Sequence, residues 1–333
     1  MSNDDFFGSA ENYFHKLLGP EPEPAFSDPA ELERNWGRRW GRGDETSPLR
    51  MVLVRRPNPG MADIRADAWS EEAQALVDPD RNWYYKRSTP PDMERVTDQH
   101  RQLVEALEHE GIDVVVAPEL PRTFTKSVYA RDPLLTVPGG AVIARLAPRM
   151  RRGEEASVTQ TIAALGMPIL GTITGTGLLE GGSFHLLRKD LAVYGTSIRC
   201  NVEGARQLES LLVPLGIRLI TVPLPGYTIH TDGQFMVLDD RTVMANAHRL
   251  PYQFIAELEE LGYEIIHPHP DEQNSCNSLM VRPGRIIMAS IYPRTAEMLR
   301  RRGFEIVSID YDEIILNGGN IHCSTTELIR DWT

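Results

Sequence analysis

Hydrophobic and polar positions along this chain switch between two periods, and the switch recurs. Short apolar, β-rich runs bounded by turn residues occur at MVLVRRP (51–57), AVIARLAPR (141–149), LAVYGTSIR (191–199), TVMANAHR (242–249) and RIIMASIYPR (285–294), as expected of strands. After each run comes a stretch with apolar residues three or four apart, such as Leu103 and Leu107 or Leu258 and Leu261, which places them on one helical face. Those stretches stop at Gly111, Gly166, Gly216, Gly262 and Gly303 and turn into another apolar run. A glycine in that place predicts a left-handed helix stop. The intervals between the five glycines are 55, 50, 46 and 41 residues, the spacing of repeated supersecondary units.

A third apolar segment follows each unit, and unusual residues gather where it begins. Asp132 stands in YARDPLLTVPGG, Glu180 in LLEGGSFHLL, His230 and Asp232 in IHTDGQFMVLDD, Cys276 in NSCNSLMVRPG, and Cys323 in LNGGNIHCST. Counted from the stop glycine, Glu180, His230 and Cys276 each lie 14 residues on, Asp132 21 and Asn320 17. Equivalent places in units related by rotation converge on the axis. If five such units close into a ring, Asp132, Glu180, His230, Asp232 and Cys323 meet in one central pocket. Burying carboxylates, an imidazole and a thiol together is costly for stability alone, so the cluster points to chemistry.

Residues 1–48 read as an N-terminal arm, with a short apolar patch from Phe6 to Leu18 and the helix-breaking GPEPEPAFSDP, pinned to the body by Trp36 and Trp40. Residues 49–333 read as a single catalytic domain, and 333 residues suffice for a substantial core. Lys and Arg number 35 against 47 Asp and Glu, a net charge of −12. That sign argues against nucleic acid as a partner and tilts the reading toward small cationic substrates. Three scattered cysteines suit a reducing cytoplasm better than a disulfide framework. The N-terminus lacks the basic start and long apolar core of a signal peptide, and no segment is apolar enough to span a membrane. A homo-oligomer stays open.

Cys323 has three readings: a buried spacer, a metal ligand, or a nucleophile approached past Gly318 and Gly319. Cys200 and Cys276 read as buried hydrophobes, Cys276 with the option of lining the pocket. Zinc on His230, Asp232, His322 and Cys323 is a weak reading, because no close Cys or His pair is present. His322 alternates with Cys323 along the expected closing strand and should face away. His230 and Asp232, two apart, should share a strand face. Arg131 reads as a structural partner for an acid elsewhere. Several carboxylates with a thiol and an imidazole suit a planar cation that donates paired hydrogen bonds, such as a guanidinium.

ARDP, LEGG, HTD and GGNIHC, in this order on a fivefold ββαβ repeat, resemble the guanidino-group-modifying enzymes of the pentein fold: arginine deiminases, dimethylarginine dimethylaminohydrolases and amidinotransferases. The stretches LRMVLVRRP, PRMRRGEE and YGTSIRCNVEGARQL extend the likeness. The resemblance implies a five-bladed α/β propeller and a hydrolase that opens a guanidino C–N bond through a covalent amidino-thioether, with amidino transfer to an amine as the alternative. It implies no cofactor and no metal. It makes Cys323 the nucleophile, His230 the acid/base, Asp132 and Asp232 the carboxylates that hold the guanidinium, and Glu180 a partner in that task or in orienting His230. Arg199 matches a position that grips a substrate carboxylate. Ser183, Gly233 and Asn320 depart from the family pattern, so Ser183 and Asn320, with Gly319, are expected at the substrate. One branch of the same fold, the ribosome anti-association factors, only binds; the charge and the assembled cluster argue against that reading.

Overall fold

A computed structural model describes residues 23–332. The apolar patch predicted over Phe6 to Leu18 lies outside them. Five three-stranded sheets share one pattern: a middle strand antiparallel to one neighbour, which precedes it in four of them, and parallel to the strand that follows a helix. The first sheet contains β1 (Leu49–Val54) and β5 (Asp113–Val116), joined through helix α2 (Met93–His109). The second is β6 (Leu134–Val137), β7 (Gly140–Ile143) and β8 (Ile169–Thr172), with α3 (Glu154–Ala164). The third is β9 (Phe184–Arg188), β10 (Leu191–Thr196) and β11 (Arg218–Pro223), with α4 (Val202–Leu212). The fourth is β12 (Phe235–Val237), β13 (Thr242–Ala245) and β14 (Glu264–Ile266), with α5 (Tyr252–Glu260). The fifth is β15 (Leu279–Arg282), β16 (Arg285–Ala289) and β17 (Glu305–Ile309), with α6 (Pro293–Arg301).

The third segment of each sequence unit therefore opens the next sheet. After the fifth unit and the short helix α7 (Asp312–Ile315), the last strand β18 (Thr326–Arg330) returns to pair antiparallel with β1, Leu49 opposite Arg330. Each apolar core is shared by neighbouring sheets. Met51 and Leu53 of the first pack with Ala141 and Ile143 of the second, Val137 and Val142 of the second with Phe184 and Leu186 of the third, and Val193 with Phe235 of the fourth. The fourth, fifth and first sheets share the largest cluster, through Met244, Ile287 and Val52.

The five helix-stop glycines have φ values of 74°, 82°, 73°, 87° and 93°, all left-handed. A Cβ at any of them meets nothing within 4 Å, so conformation and not space selects glycine. Side-chain caps begin the two helices where they are clearest: Asp92 accepts from Glu94 and Arg95 before α2, and Asn201 accepts from Gly204 in α4.

The N-terminal segment is only partly an appendage. Helix α1 (Pro29–Trp36) leaves Trp36 exposed, stacked edge-on against Phe26, whereas Trp40 is buried in the core between the first two sheets. Gly41 bridges to Ile329, and the buried Arg42 and Glu45 join each other at 3.0 Å. Glu45 goes on to His185 at 3.0 Å, so residues 40–45 are built into the body. A sixth small sheet, β2 (Trp69–Ser70), β3 (Ala75–Val77) and β4 (Tyr84–Tyr85), had no counterpart in the sequence pattern. Its strands are too short to show a period.

Gly111→Ala is expected to lower stability by about 1 kcal/mol, the cost of a left-handed L-residue in open space. Gly204→Ala should cost more, because its Cβ would sit 2.1 Å from the Leu178 carbonyl oxygen. Chemical denaturation of both variants checks the order.

Candidate active site

Five candidate residues stand in the loop or turn just before the outer strand of a sheet that pairs antiparallel with its middle strand: Asp132 before β6, Glu180 before β9, His230 and Asp232 before β12, and Cys323 before β18, whereas Arg199 follows β10. The sheets thus deliver to one place groups that are 191 positions apart at the extremes.

His230 is fixed by carboxylates on both ring nitrogens. Its Nε2 lies 2.7 Å from Glu180 Oε2 and its Nδ1 3.6 Å from Asp132 Oδ1. Burial pulls its pKa down, but Asp132 and Glu180 outweigh burial, and the imidazole stands above its ordinary value. Glu180 is buried, which raises a carboxyl, yet Arg199 and His230 hold it down at about 2. Arg199 grips it with Nε at 2.9 Å and Nη2 at 2.6 Å.

Asp232 Oδ2 receives two groups, the Cys323 thiol at 3.1 Å and His322 Nδ1 at 3.2 Å. The sequence placed His322 on a strand, facing away from Cys323. Residues 320–325 instead form a helical turn, with Ser324 N donating to Asn320 O and Thr325 N to His322 O, so period two does not apply. β18 begins only at Thr326. The pair His230 and Asp232 likewise sits on a turn, closed by Gln234 N donating to Thr231 O, and not on a strand. Arg131 lies 2.5 Å from His322 Nε2 and donates to Glu327, the acid partner expected of it. Arginine can only donate, so Nε2 accepts and the proton of His322 sits on Nδ1, facing Asp232. Burial and then Arg131 lower the His322 pKa, which keeps the ring neutral.

Asn277 clamps the nucleophile candidate from the other side. Its Nδ2 lies 3.0 Å from Cys323 Sγ, and its Oδ1 accepts from Cys323 N at 3.2 Å. The Asn320 backbone N–H also faces the sulfur. Burial, then Asp232 and Asp132, push the thiol well above its ordinary value, so Cys323 rests as a neutral thiol.

The arrangement leaves no space at Gly182. A Cβ there would stand 2.7 Å from His230 Nδ1, 2.8 Å from Asp132 Oδ1 and 3.2 Å from Asp232 Oδ2. Gly318 and Gly319 are equally confined, by the Tyr84 hydroxyl at 2.3 Å and the Tyr129 ring at 2.5 Å from the added carbons. They let two tyrosines close on the backbone beside Cys323, rather than open an empty path.

A cavity of about 80 Å³ is lined by Tyr84, Tyr129, Asp132, Arg151, Arg199, His230, Gly319 and Cys323, among others. Ser183 and Asn320 line neither this cavity nor the larger one beside it. Ser183 is fully buried next to Cys200, and the Asn320 side chain turns to Ile321 N at 2.8 Å and the Tyr292 hydroxyl at 3.3 Å. Neither side chain can choose a substrate directly. Cys276 is buried against Met244 and away from this cavity.

Four contributors escaped sequence reasoning. Arg151 donates to Asp132, to both oxygens of Glu154 at 2.9 and 2.8 Å, and to Tyr129 O. Lys126 holds the Tyr84 carbonyl at 2.6 Å and Asn317 Oδ1 at 2.8 Å, tying the small sheet to the glycine loop. Asn277 and Tyr84 complete the set. Arg151, in PRMRRGEE, and Asn277, in NSCNSLMVRPG, stand within stretches already marked; Lys126 and Tyr84 do not. Asp132, Glu180 and His230 bring ligand-type atoms within 4.8 Å of one another. Arg151 and Arg199 engage these two acids, so the positive charge that a metal would bring is already supplied.

The family profile described as N,N dimethylarginine dimethylhydrolase, eukaryotic, matches residues 77–330. The chain belongs to that family, whose members are hydrolases of amidine C–N bonds. It is 28% identical over 233 residues to the N(G),N(G)-dimethylarginine dimethylaminohydrolase of Pseudomonas aeruginosa, covering 70% of this chain and 88% of the relative. The enzyme of the same name from Streptomyces coelicolor is 28% identical, covering 84% of this chain and 98% of the relative. In fold it is also similar to an inosamine-phosphate amidinotransferase of Streptomyces griseus, with a TM-score of 0.66 at 16% identity over 89% of this chain and 98% of that one. The resemblance drawn from ARDP, LEGG, HTD and GGNIHC therefore holds. Among the described residues no helix is long and apolar enough to cross a membrane.

Asp232→Asn removes a charge that raises the thiol, so alkylation of Cys323 by iodoacetamide at pH 8 should become faster than in the unaltered protein. A slower reaction would show that Asp232 promotes the thiolate instead. His230 predicts a pH effect of its own. Its folded pKa is raised, so its contribution to stability is complete below about 6.5 and is lost as pH rises through the folded value. The melting temperature of His230→Gln should therefore approach that of the unaltered protein as pH climbs above neutrality.

Proposed function

We propose that this protein is a cysteine-dependent hydrolase of the guanidino group of arginine or an arginine-like compound, with Cys323 as nucleophile. The observation that supports this most is the thiol held between Asp232 and Asn277 beside an imidazole already charged by two carboxylates. The five sheets, the cores shared by neighbours and the pairing of β18 with β1 support reading the fold as a five-bladed α/β propeller with this site on its axis.

A guanidinium held by Asp132 and Asp232 offsets the two charges that keep Cys323 protonated, so the thiol releases its proton to solvent water and thiolate forms when substrate is present. Its sulfur then attacks the central guanidino carbon. Asn277 Nδ2 and the Asn320 N–H hold the sulfur on line. Glu180 occupies His230 Nε2, so the proton moves at Nδ1, which passes it to the departing nitrogen as the C–N bond breaks. A cationic amidino-thioether and a free amine result. Water then gives a proton back to Nδ1 and adds to the same carbon. The C–S bond breaks as the remaining hydroxyl proton passes to the departing sulfur, leaving a ureido product and the Cys323 thiol. Arg199 and Arg151 line the same cavity and suit the carboxylate of an amino-acid substrate. Amidino transfer follows if an amine replaces water in the second half, and the fold shared with an amidinotransferase supports keeping that reading.

Intact mass spectrometry of the protein quenched during incubation with arginine and Nω-methylated arginines should show an amidino adduct, absent from Cys323→Ala. No adduct and no turnover across a panel of guanidines would overturn the proposal. Asn277→Ala should lower kcat by about 100-fold, as expected for losing one preorganised donor, and a steady-state assay of ureido product measures it.

A further inference from the structure

Cys323 is reached from two sides. Beside the cavity of about 80 Å³ lies a chamber of about 480 Å³, and the two share Tyr84, Ile229, His230, Gly318, Gly319 and Cys323. Their charges differ. Arg151 and Arg199 in the smaller cavity are each bonded to acids. The larger chamber has Lys86 and Arg249 in its wall, and neither has an ion-pair partner among the described residues. Burial lowers the Lys86 pKa, and a thiolate at Cys323 acts to raise it again. The single carboxylate of this wall, Asp232, is already engaged by Cys323 and His322. Uncharged groups fill in between: Gln234, Gln273 and Asn274, with Tyr227 standing 92% exposed at the wall. In a chain of net charge −12, such a surplus of positive charge beside the reacting sulfur is a local exception.

We propose that the larger chamber is the subsite for the substituent on the far nitrogen of the guanidine, and that it takes a substituent ending in a carboxylate. The proposal rests on the guanidino-hydrolase reading above. A guanidinium carbon attacked by Cys323 carries one nitrogen bearing the amino-acid chain and another that departs. If the chain lies in the cavity of Arg151 and Arg199, the departing nitrogen and whatever it carries point across the shared wall of Tyr84 and Gly318. An enzyme releasing only ammonia or a small methylamine has no use for 480 Å³ there. A polar arm has use for it, with the amides along its length, Tyr227 at its side and Lys86 and Arg249 at its charged end.

The test compares kcat/KM for Nω-(2-carboxyethyl)arginine and Nω-methylarginine with the full chain. The expected ratio is about tenfold in favour of the carboxyethyl substrate, and it should collapse toward one in the Lys86→Ala/Arg249→Ala double variant. Arg249→Lys keeps the charge and should keep most of the preference. A ratio of one or less in the unaltered protein, or a ratio that survives the double variant, overturns this subsite while leaving the hydrolase reading intact. Turnover of neither substrate, with no adduct on Cys323, overturns both.

Discussion

One buried guanidinium holds the centre of the molecule together. Arg131 donates to Glu327 in the last strand, reaches His322 Nε2, and uses its backbone N–H on the Cys323 carbonyl at 3.0 Å. Glu327 is in turn shared with Arg42 and with Arg330 at 3.2 Å. Removing one partner from such a buried pair costs about 3–5 kcal/mol, far more than any surface ion pair, because the other charge is stranded. The thiol is oriented from this side through His322 and Asp232, and from the other by Asn277. The tautomer of His322, the position of Asp232 Oδ2 and the turn that carries Cys323 are all set from the side opposite the substrate.

The electrostatics give the site a resting and a working state without any movement of the chain. Burial, Asp232 and Asp132 keep the thiol neutral, while Asp132 and Glu180 raise the pKa of His230. A cation entering between them changes the balance in one direction only, toward the thiolate. Oxidants and electrophiles that carry no positive charge meet the less reactive thiol. Selectivity therefore lies partly in charge and not only in fit.

Much of the fold was legible because it depends on local rules. The five glycine stops, the helices before them and the strands around them follow from period and backbone conformation, and even the acid partner of Arg131 was anticipated. The candidate residues were legible by their shared place ahead of each third segment. What could not be read depends on which turn a short loop adopts. Ser183 and Asn320 sit beside the right residues but turn inward. His322 seemed to face away until the strand proved to be a helical turn. Asn277 and Tyr84 matter through Cys323 and Gly318, far away in sequence, and nothing in their own surroundings announces those contacts.

The pairing of β18 with β1 sets the order in which the molecule can mature. Leu49 meets Arg330 across 281 positions, and Cys323 is carried by the turn that leads into that last strand. Closing so long a loop is among the most costly entropic steps available to a chain, and contacts of that span form late. Asp132, Glu180 and His230 can gather while the second, third and fourth sheets assemble, yet they surround an empty position until the final strand docks. Reactivity toward guanidines would then appear as the closing event of folding, and its time course would report when the chain ends have met.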